Sequence, residues 1–228
     1  MSAAGKSRGR LLRWAAVFVV ALAVGILLGR ASAPDPSPTP TAVLAPTTSP
    51  DGARTAAGIP VSFPETAEGA AGAAAAYQQS FASPAILRPG VLRRRVKAVA
   101  TPDYAAKMLL ANTPGVARLA AGPVGVGIRH GLRTIYSAVP IGYRVVSFEP
   151  GRAEVETWGL TLLGNAGSIE PAAYFGTSRT ELTWDEGRWR IAATEASFGP
   201  TPRLATASPG GYEVLNLIDG LQGYVLAP

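Results

Sequence analysis

The chain opens with a basic cluster, a long apolar run and a proline-rich stretch, and that order constrains the rest. Lys6, Arg8, Arg10 and Arg13 lead into the run from Trp14 to Leu28, which Arg30 closes. Counted from Leu11 to Leu28, a helix of this length reaches about 27 Å, enough for the hydrocarbon core of a bilayer. The charge inside that span is Arg13, close to its edge, where a long aliphatic stem can carry the guanidinium to the headgroups. Four basic residues precede the run and one follows it, which orients the N-terminus to the cytoplasm and everything after Arg30 to the outside.

A cleaved secretory signal is the rival reading. Ala31-Ser32-Ala33 fits the small-residue cleavage pattern that follows such a segment. Cleavage there would leave Pro34 as the first residue, a rigid ring without an N–H that suits a peptidase site badly. The run is also at the long end for a signal core. A buried helix inside a soluble fold is a third reading, but nothing else in the chain could cover a helix apolar all round.

Charge and cysteine content then narrow the chemistry. The whole chain carries 21 Lys and Arg against 15 Asp and Glu. Setting aside Lys6, Arg8, Arg10, Arg13 and Arg30 leaves 16 against 15, so the part beyond the anchor is close to neutral. The basic isoelectric point therefore reflects membrane topology, and nucleic acid is not an expected partner. The absence of cysteine excludes disulfides, thiolate catalysis and thiolate-bound metal.

These features predict a cytoplasmic tail over residues 1–10 and a transmembrane anchor over 11–30. A proline-rich linker follows over 31–60, then a globular domain over 61–200 and a C-terminal segment over 201–228, read as a short helix. The linker carries Pro34, Pro36, Pro38, Pro40, Pro46, Pro50 and Pro60 among small polar residues and has no apolar period. Such a stretch cannot bury enough surface to offset its ordering entropy and reads as an extended stalk.

Within the domain the pattern changes from helix to strand. Glu65 to Phe81 is alanine-rich, with Pro64 and two early acids suiting a helix start, and Ala67, Ala70, Ala74, Tyr77 and Phe81 on one face. Further helices are expected over Val91 to Ala100 and Pro102 to Leu110, with a turn near Ala117 to Ala121. Strands are expected over Val139 to Phe148, Arg152 to Leu163, Tyr174 to Trp184 and Arg188 to Glu195. The turns are Glu149-Pro150-Gly151-Arg152 and Asp185-Glu186-Gly187-Arg188. In the last hairpin Trp184 should face Trp189, and Leu182 should face Ile191, on the buried side. Thr183 and Arg190 should then face solvent. In the first hairpin Val155 and Trp158 have opposite parity, for which a bulge or sharp bend between them is the expected remedy. Helices followed by a curved antiparallel sheet define an α+β domain.

The segment Ile59 to Ala70 leading to Tyr77, together with Trp184-Asp185-Glu186-Gly187-Arg188-Trp189, resembles the nuclear transport factor 2-like cone fold. In that fold a final strand pair with the pattern W-x-x-G-x-W recurs. Combined with an N-terminal anchor, the chain looks like the bitopic scaffold subunits of conjugative-transfer and type IV secretion channels of Gram-positive bacteria. The resemblance spans about Ile59 to Gly199. It implies an extracellular assembly domain whose partners are the membrane and proteins, either channel subunits or further copies of the chain. Related cone folds include cyclases and isomerases with an acid or histidine inside the cone, which leaves an anchored enzyme or small-ligand binder as the alternative.

The residues themselves offer little catalytic machinery, and no cofactor or metal site is expected. His130 is the single histidine, and it has no G-x-S-x-G partner motif. Glu154 and Glu156 share a strand face, the usual spacing of a solvated surface. The stretch Gly122 to Gly131 lacks the lysine and hydroxyl of a phosphate loop and reads as a flexible connector. One charged feature stands out. Between Ile86 and Arg133 nine basic residues face Asp103 alone, with Arg93, Arg94, Arg95 and Lys97 on one short helix. Those four form the candidate partner-binding surface, with Val91, Leu92, Val96 and Val99 turned inward.

Overall fold

A computed structural model describes residues 54–167, 169–202 and 224–226. The anchor, most of the stalk and most of the C-terminal segment lie outside these residues. Among the described residues no helix is long and apolar enough to cross a membrane.

The domain starts earlier than the expected boundary at residue 61. Thr55–Ala56 (β1) and Ile59–Pro60 (β2) pair as a small antiparallel hairpin. Its two-residue turn puts Ala57 and Gly58 at positive φ, the geometry that a tight hairpin of right-handed twist requires. Ile59 and Val61 are thereby inserted into the core.

Helix α1 (Ala67–Phe81) begins where the Thr66 hydroxyl accepts the Gly69 N–H at 3.0 Å, satisfying a free amide of the first turn. The small residues along it let neighbours approach its backbone. A methyl group at Gly69 would stand 2.0 Å from the Pro64 carbonyl oxygen, and one at Gly72 would crowd the Phe63 ring at 3.0 Å. Burial is correspondingly wide, running from Gly69 through Ala75 and including Tyr77. The expected face holds at Ala70, Ala74 and Tyr77, while Ala67 and Phe81 are half-buried.

A 3-10 turn (Pro84–Leu87) connects to α2 (Val91–Val99), and Thr101 caps α3 (Pro102–Ala121) through the Tyr104 N–H at 3.3 Å. Helix α3 continues far beyond Leu110, its expected end, and passes through Pro114. Proline leaves a carbonyl of the preceding turn without its amide donor. Side chains serve the carbonyls just before the gap: Asn112 donates to Met108 O at 2.8 Å and Thr113 to Leu109 O at 2.7 Å.

The stretch expected to be a flexible connector is α4 (Pro123–Arg129), opened by a proline at its first turn. Its glycines mark close packing. A methyl at Gly125 would fall 1.9 Å from the Ala120 carbonyl oxygen, and one at Gly127 would fall 2.4 Å from the Asn165 amide nitrogen.

Strands β3 (Thr134–Glu149), β4 (Arg152–Asn165), β5 (Ile169–Asp185) and β6 (Arg188–Phe198) form an antiparallel meander. A fifth strand, β7 (Val225–Leu226), joins the far edge, giving the order β6-β5-β4-β3-β7. Each meander strand extends beyond its expected bounds. The sheet is curved, and β3 carries two register shifts, one between Pro140 and Gly142 and one between Val145 and Ser147. Gly159 and Gly176 pair directly where neighbouring backbone comes closest. A methyl carbon at Gly159 would stand 2.3 Å from Val139 O, and one at Gly176 would stand 2.9 Å from Ser197 O.

The first hairpin carries the expected bulges, on β3 opposite Val155 and Trp158, while β4 itself stays regular and keeps the two residues on opposite faces. Strand β4 pairs with β5 without interruption from Arg152 to Leu163, so both of its faces are used. Val155 packs into the helix-side core, and Thr157 on the same side bonds the Gln78 side chain at 2.8 Å. Trp158 lies on the other side, stacked on Phe175 at 5.4 Å, with its indole N–H donating to Pro200 O at 2.9 Å. An apolar residue on each face of one strand requires cover on both sides.

The last hairpin follows its expected register. Trp184 pairs with Trp189 and Leu182 with Ile191 around the Glu186-Gly187 turn, both of whose residues have positive φ. Leu182, Trp189, Ile191 and Tyr77 are buried. Trp184 is only half-buried, set edge-on against Trp189 at 5.2 Å between ring centres. Arg190 departs from its expected solvent position: it is 7% exposed and ion-paired to Asp185 at 2.7 Å and Glu186 at 2.6 Å. Its burial follows from the α2–α3 junction, which lies along the β6 edge. There Thr101 N–H donates to Ile191 O at 2.9 Å, and the Tyr104 hydroxyl bonds both backbone groups of Thr194.

Candidate functional site

Helix α2 separates its residues by face. Leu92, Val96 and Val99 enter the core, and Val91 is half-buried. Arg93, Arg94 and Lys97 are exposed, with Arg93 and Lys97 one turn apart on the same side. Among the described residues none of these three has a carboxylate within ion-pair distance, and neither does Arg88 just ahead of the helix.

Arg95 belongs to the fold rather than to that exposed face. Its guanidinium donates to the Ser80 carbonyl and, at 2.8 Å, to the Ser83 hydroxyl. Ser80 lies in the last turn of α1, where carbonyls lack helical partners and that helix supplies no basic residue of its own. Burial lowers the Arg95 pKa below the usual guanidinium range. The sequence shows four neighbouring cations; only side-chain reach to a carbonyl fifteen residues earlier separates the third from the others.

Acidic groups collect on the sheet face turned away from α1. Glu154 and Glu156 share that face, as their spacing indicates, and both are engaged. Glu154 is ion-paired to Arg179, and Glu156 to Arg144. Glu156 also accepts the Tyr224 hydroxyl at 3.0 Å, and Arg144 sits over the Tyr224 ring at 5.3 Å. Burial raises the Tyr224 pKa, and the Glu156 charge adds to the shift. A basic exposed helix face and an acidic sheet face thus lie on one small domain, the acidic one neutralised by Arg144 and Arg179.

Tyr77, Trp189, Val155, Leu182, Ile191 and Met108 belong to one buried apolar cluster, and the buried polar residues among those described are Thr157, Asn165, Thr180 and Arg190. His130 is exposed at the C-terminal end of α4, its backbone N–H bonded to Val126 O and Gly127 O. Among the described residues no cluster of three or more histidines, cysteines or acids has metal-binding proximity.

Two surface recesses accompany these features. One, of about 410 Å³, lies at the junction of the 3-10 turn with α2. The other, of about 950 Å³, lies at the sheet end formed by Arg133, Ile135, Asn165 and Glu170. Sequence reasoning finds the basic helix but not the first recess, because Arg88 and the β1–β2 turn come to Arg94 only through the fold. No protein-family model matches this chain, and neither do any curated proteins or solved structures.

Proposed function

We propose that this chain is a single-pass membrane protein that holds a non-enzymatic interaction domain outside the cell. Its N-terminus is cytoplasmic, and its stalk sets the domain at a distance from the bilayer. By its resemblance to bitopic channel scaffolds, the domain serves as an assembly subunit of a conjugation or secretion complex. The support for the extracellular placement is the order of basic cluster, apolar run and proline-rich stretch, with the charge bias it carries.

The observation that carries the association reading is how charge and packing are distributed. The buried cluster is made of Tyr77, Trp189 and aliphatic side chains, whereas Arg93, Arg94 and Lys97 stand outward together on α2 without an acidic residue on that helix. Unpaired surface cations steer a partner of opposite charge and fix its orientation more than they add affinity. A catalytic cone would instead aim acids or a histidine into its interior.

Three measurements test this reading. Protease added to intact cells should remove the domain, and mass spectrometry should find the N-terminus upstream of Pro34; a mature chain beginning at Pro34 contradicts the anchor. In membrane extracts, Arg93→Glu with Lys97→Glu should release the co-purifying partner, more completely at low salt than at high. A partner retained equally by this variant at both salt levels contradicts α2 as the contact surface.

A further inference from the structure

Three arginines, one of them six residues before an adjacent pair, line the 410 Å³ recess. Arg88 comes from the end of the 3-10 turn, while Arg94 and Arg95 come from the first turns of α2. The remaining wall is apolar: Pro89 and Val91 beside them, and Ala57 from the β1–β2 turn opposite. No carboxylate lines it.

One of the guanidiniums is held in place before any ligand arrives, and a second lies close by over Gly90. Arg95 is tethered through one terminal nitrogen to Ser80 and Ser83, and its Nε is buried without a hydrogen-bond partner among the described residues. Arg94 folds back over Gly90, with a terminal nitrogen 3.2 Å from where a methyl at Gly90 would stand. Gly90 itself has φ of 75°, so the absence of a side chain serves both the backbone and the arginine above it. Like charges gathered without an acid repel one another, and an anion placed among them relieves that repulsion. Guanidinium forks suit an oxyanion that accepts several paired hydrogen bonds at once, and phosphate does so with a double charge. A volume of about 410 Å³ is near the lower end for ligand pockets, which run from about 300 to 1,000 Å³. It fits a phosphorylated headgroup or sugar rather than a folded partner.

We propose that this recess binds a phosphomonoester or diphosphate group through Arg88, Arg94 and Arg95. The proposal goes beyond the reading of α2 as a contact surface and places the recognition at the start of the helix, away from Arg93 and Lys97.

The test uses the full chain in neutral detergent, titrated with inorganic pyrophosphate by calorimetry. One saturable site is expected. Arg88→Gln and Arg94→Gln should each weaken it tenfold or more, while the double variant Arg93→Gln with Lys97→Gln should stay within twofold. Thermal melts of the Arg88→Gln protein, altered at an exposed residue, guard against a folding defect. Absence of saturable binding overturns the proposal, and so does equal weakening in all variants, which would mean diffuse charge attraction. Short-chain phosphatidic acid in mixed micelles, compared with glycerol 3-phosphate, separates the two sources of this chemistry. Tenfold tighter binding of the lipid assigns a membrane headgroup, and equal binding assigns a soluble phosphate. If pyrophosphate fails to bind while charge reversal at Arg93 and Lys97 still releases the protein partner, the recess falls and the contact reading stands. The reverse outcome leaves a phosphate site without a protein-contact role for α2.

Discussion

The Tyr77 hydroxyl donates a 2.7 Å hydrogen bond to the backbone carbonyl of Trp189, and the Trp189 indole donates in turn to Pro64 O at 2.8 Å. Two donations thus tie the central helix to the last hairpin and the hairpin to the segment that starts the helix. All of this happens at buried side chains, where an unmatched polar group is costly. Tyr77→Phe leaves the ring in place and removes only the donor, so urea denaturation should show a loss of about 1–3 kcal/mol. Trp189→Ala removes ring, donor and packing together and should cost about 3–5 kcal/mol. A loss for Trp189→Ala within the range of ordinary surface changes, about 0.5 kcal/mol, would contradict its placement in the core.

Gly69 offers a test of sign. In an isolated helix Gly→Ala stabilises by roughly 1 kcal/mol. Here the added methyl would meet the Pro64 carbonyl oxygen at 2.0 Å, a backbone atom that cannot swing aside. Gly69→Ala should therefore destabilise, by about 1–3 kcal/mol as overpacking generally does. A raised melting temperature would show that α1 and the Pro64 segment are not in this contact.

Arg95 and Arg93 should respond differently to the same change. Arg95→Gln removes the cation that serves the last turn of α1, and a loss of about 1–2 kcal/mol is expected from that charged hydrogen bond. Arg93→Gln alters an exposed side chain and should stay within about 0.5 kcal/mol. Equal effects in chemical denaturation would remove the distinction between the structural and the surface arginine.

Alkaline pH should unfold the domain through its tyrosines. Burial raises Tyr77 and Tyr136 to about 12 from an ordinary value of 10. The native state therefore holds these protons more tightly than the unfolded chain. Their contribution is complete below pH 10 and is lost as pH rises toward 12, at up to about 1.4 kcal/mol per unit for each group. Denaturation midpoints followed across that range should fall. Tyr77→Phe should flatten the fall, and an unchanged slope in that variant would exclude Tyr77 as a contributor.

The last hairpin is readable in the sequence because its information is local. Turn residues, alternation and facing tryptophans all lie within Leu182 to Ile191, and the register follows from them. Arg190 escapes such reading because its burial depends on the α2–α3 junction, ninety residues away in sequence. Helix α3 outruns its expected end because it runs on through Pro114, with Met108, Gly115 and Leu119 buried along it, a tertiary support that propensity alone does not register. The glycines of α4 resemble a hinge because sequence shows missing side chains, not the Ala120 and Asn165 atoms that occupy the space. The same applies to the candidate surface. Four neighbouring cations are visible in the sequence, yet their division between fold, exposed face and recess comes from where Ser80 and the β1–β2 turn stand.

Strand β7 covers only a short part of the β3 flank. Val225 and Leu226 pair there with Tyr143 and Gly142. An unpaired strand flank is a template for another chain. A protein that lacks residues 224–226 would leave Gly142 and Tyr143 as open as the rest of that β3 flank is among the described residues, so loss of two paired residues lengthens the exposed edge at its middle.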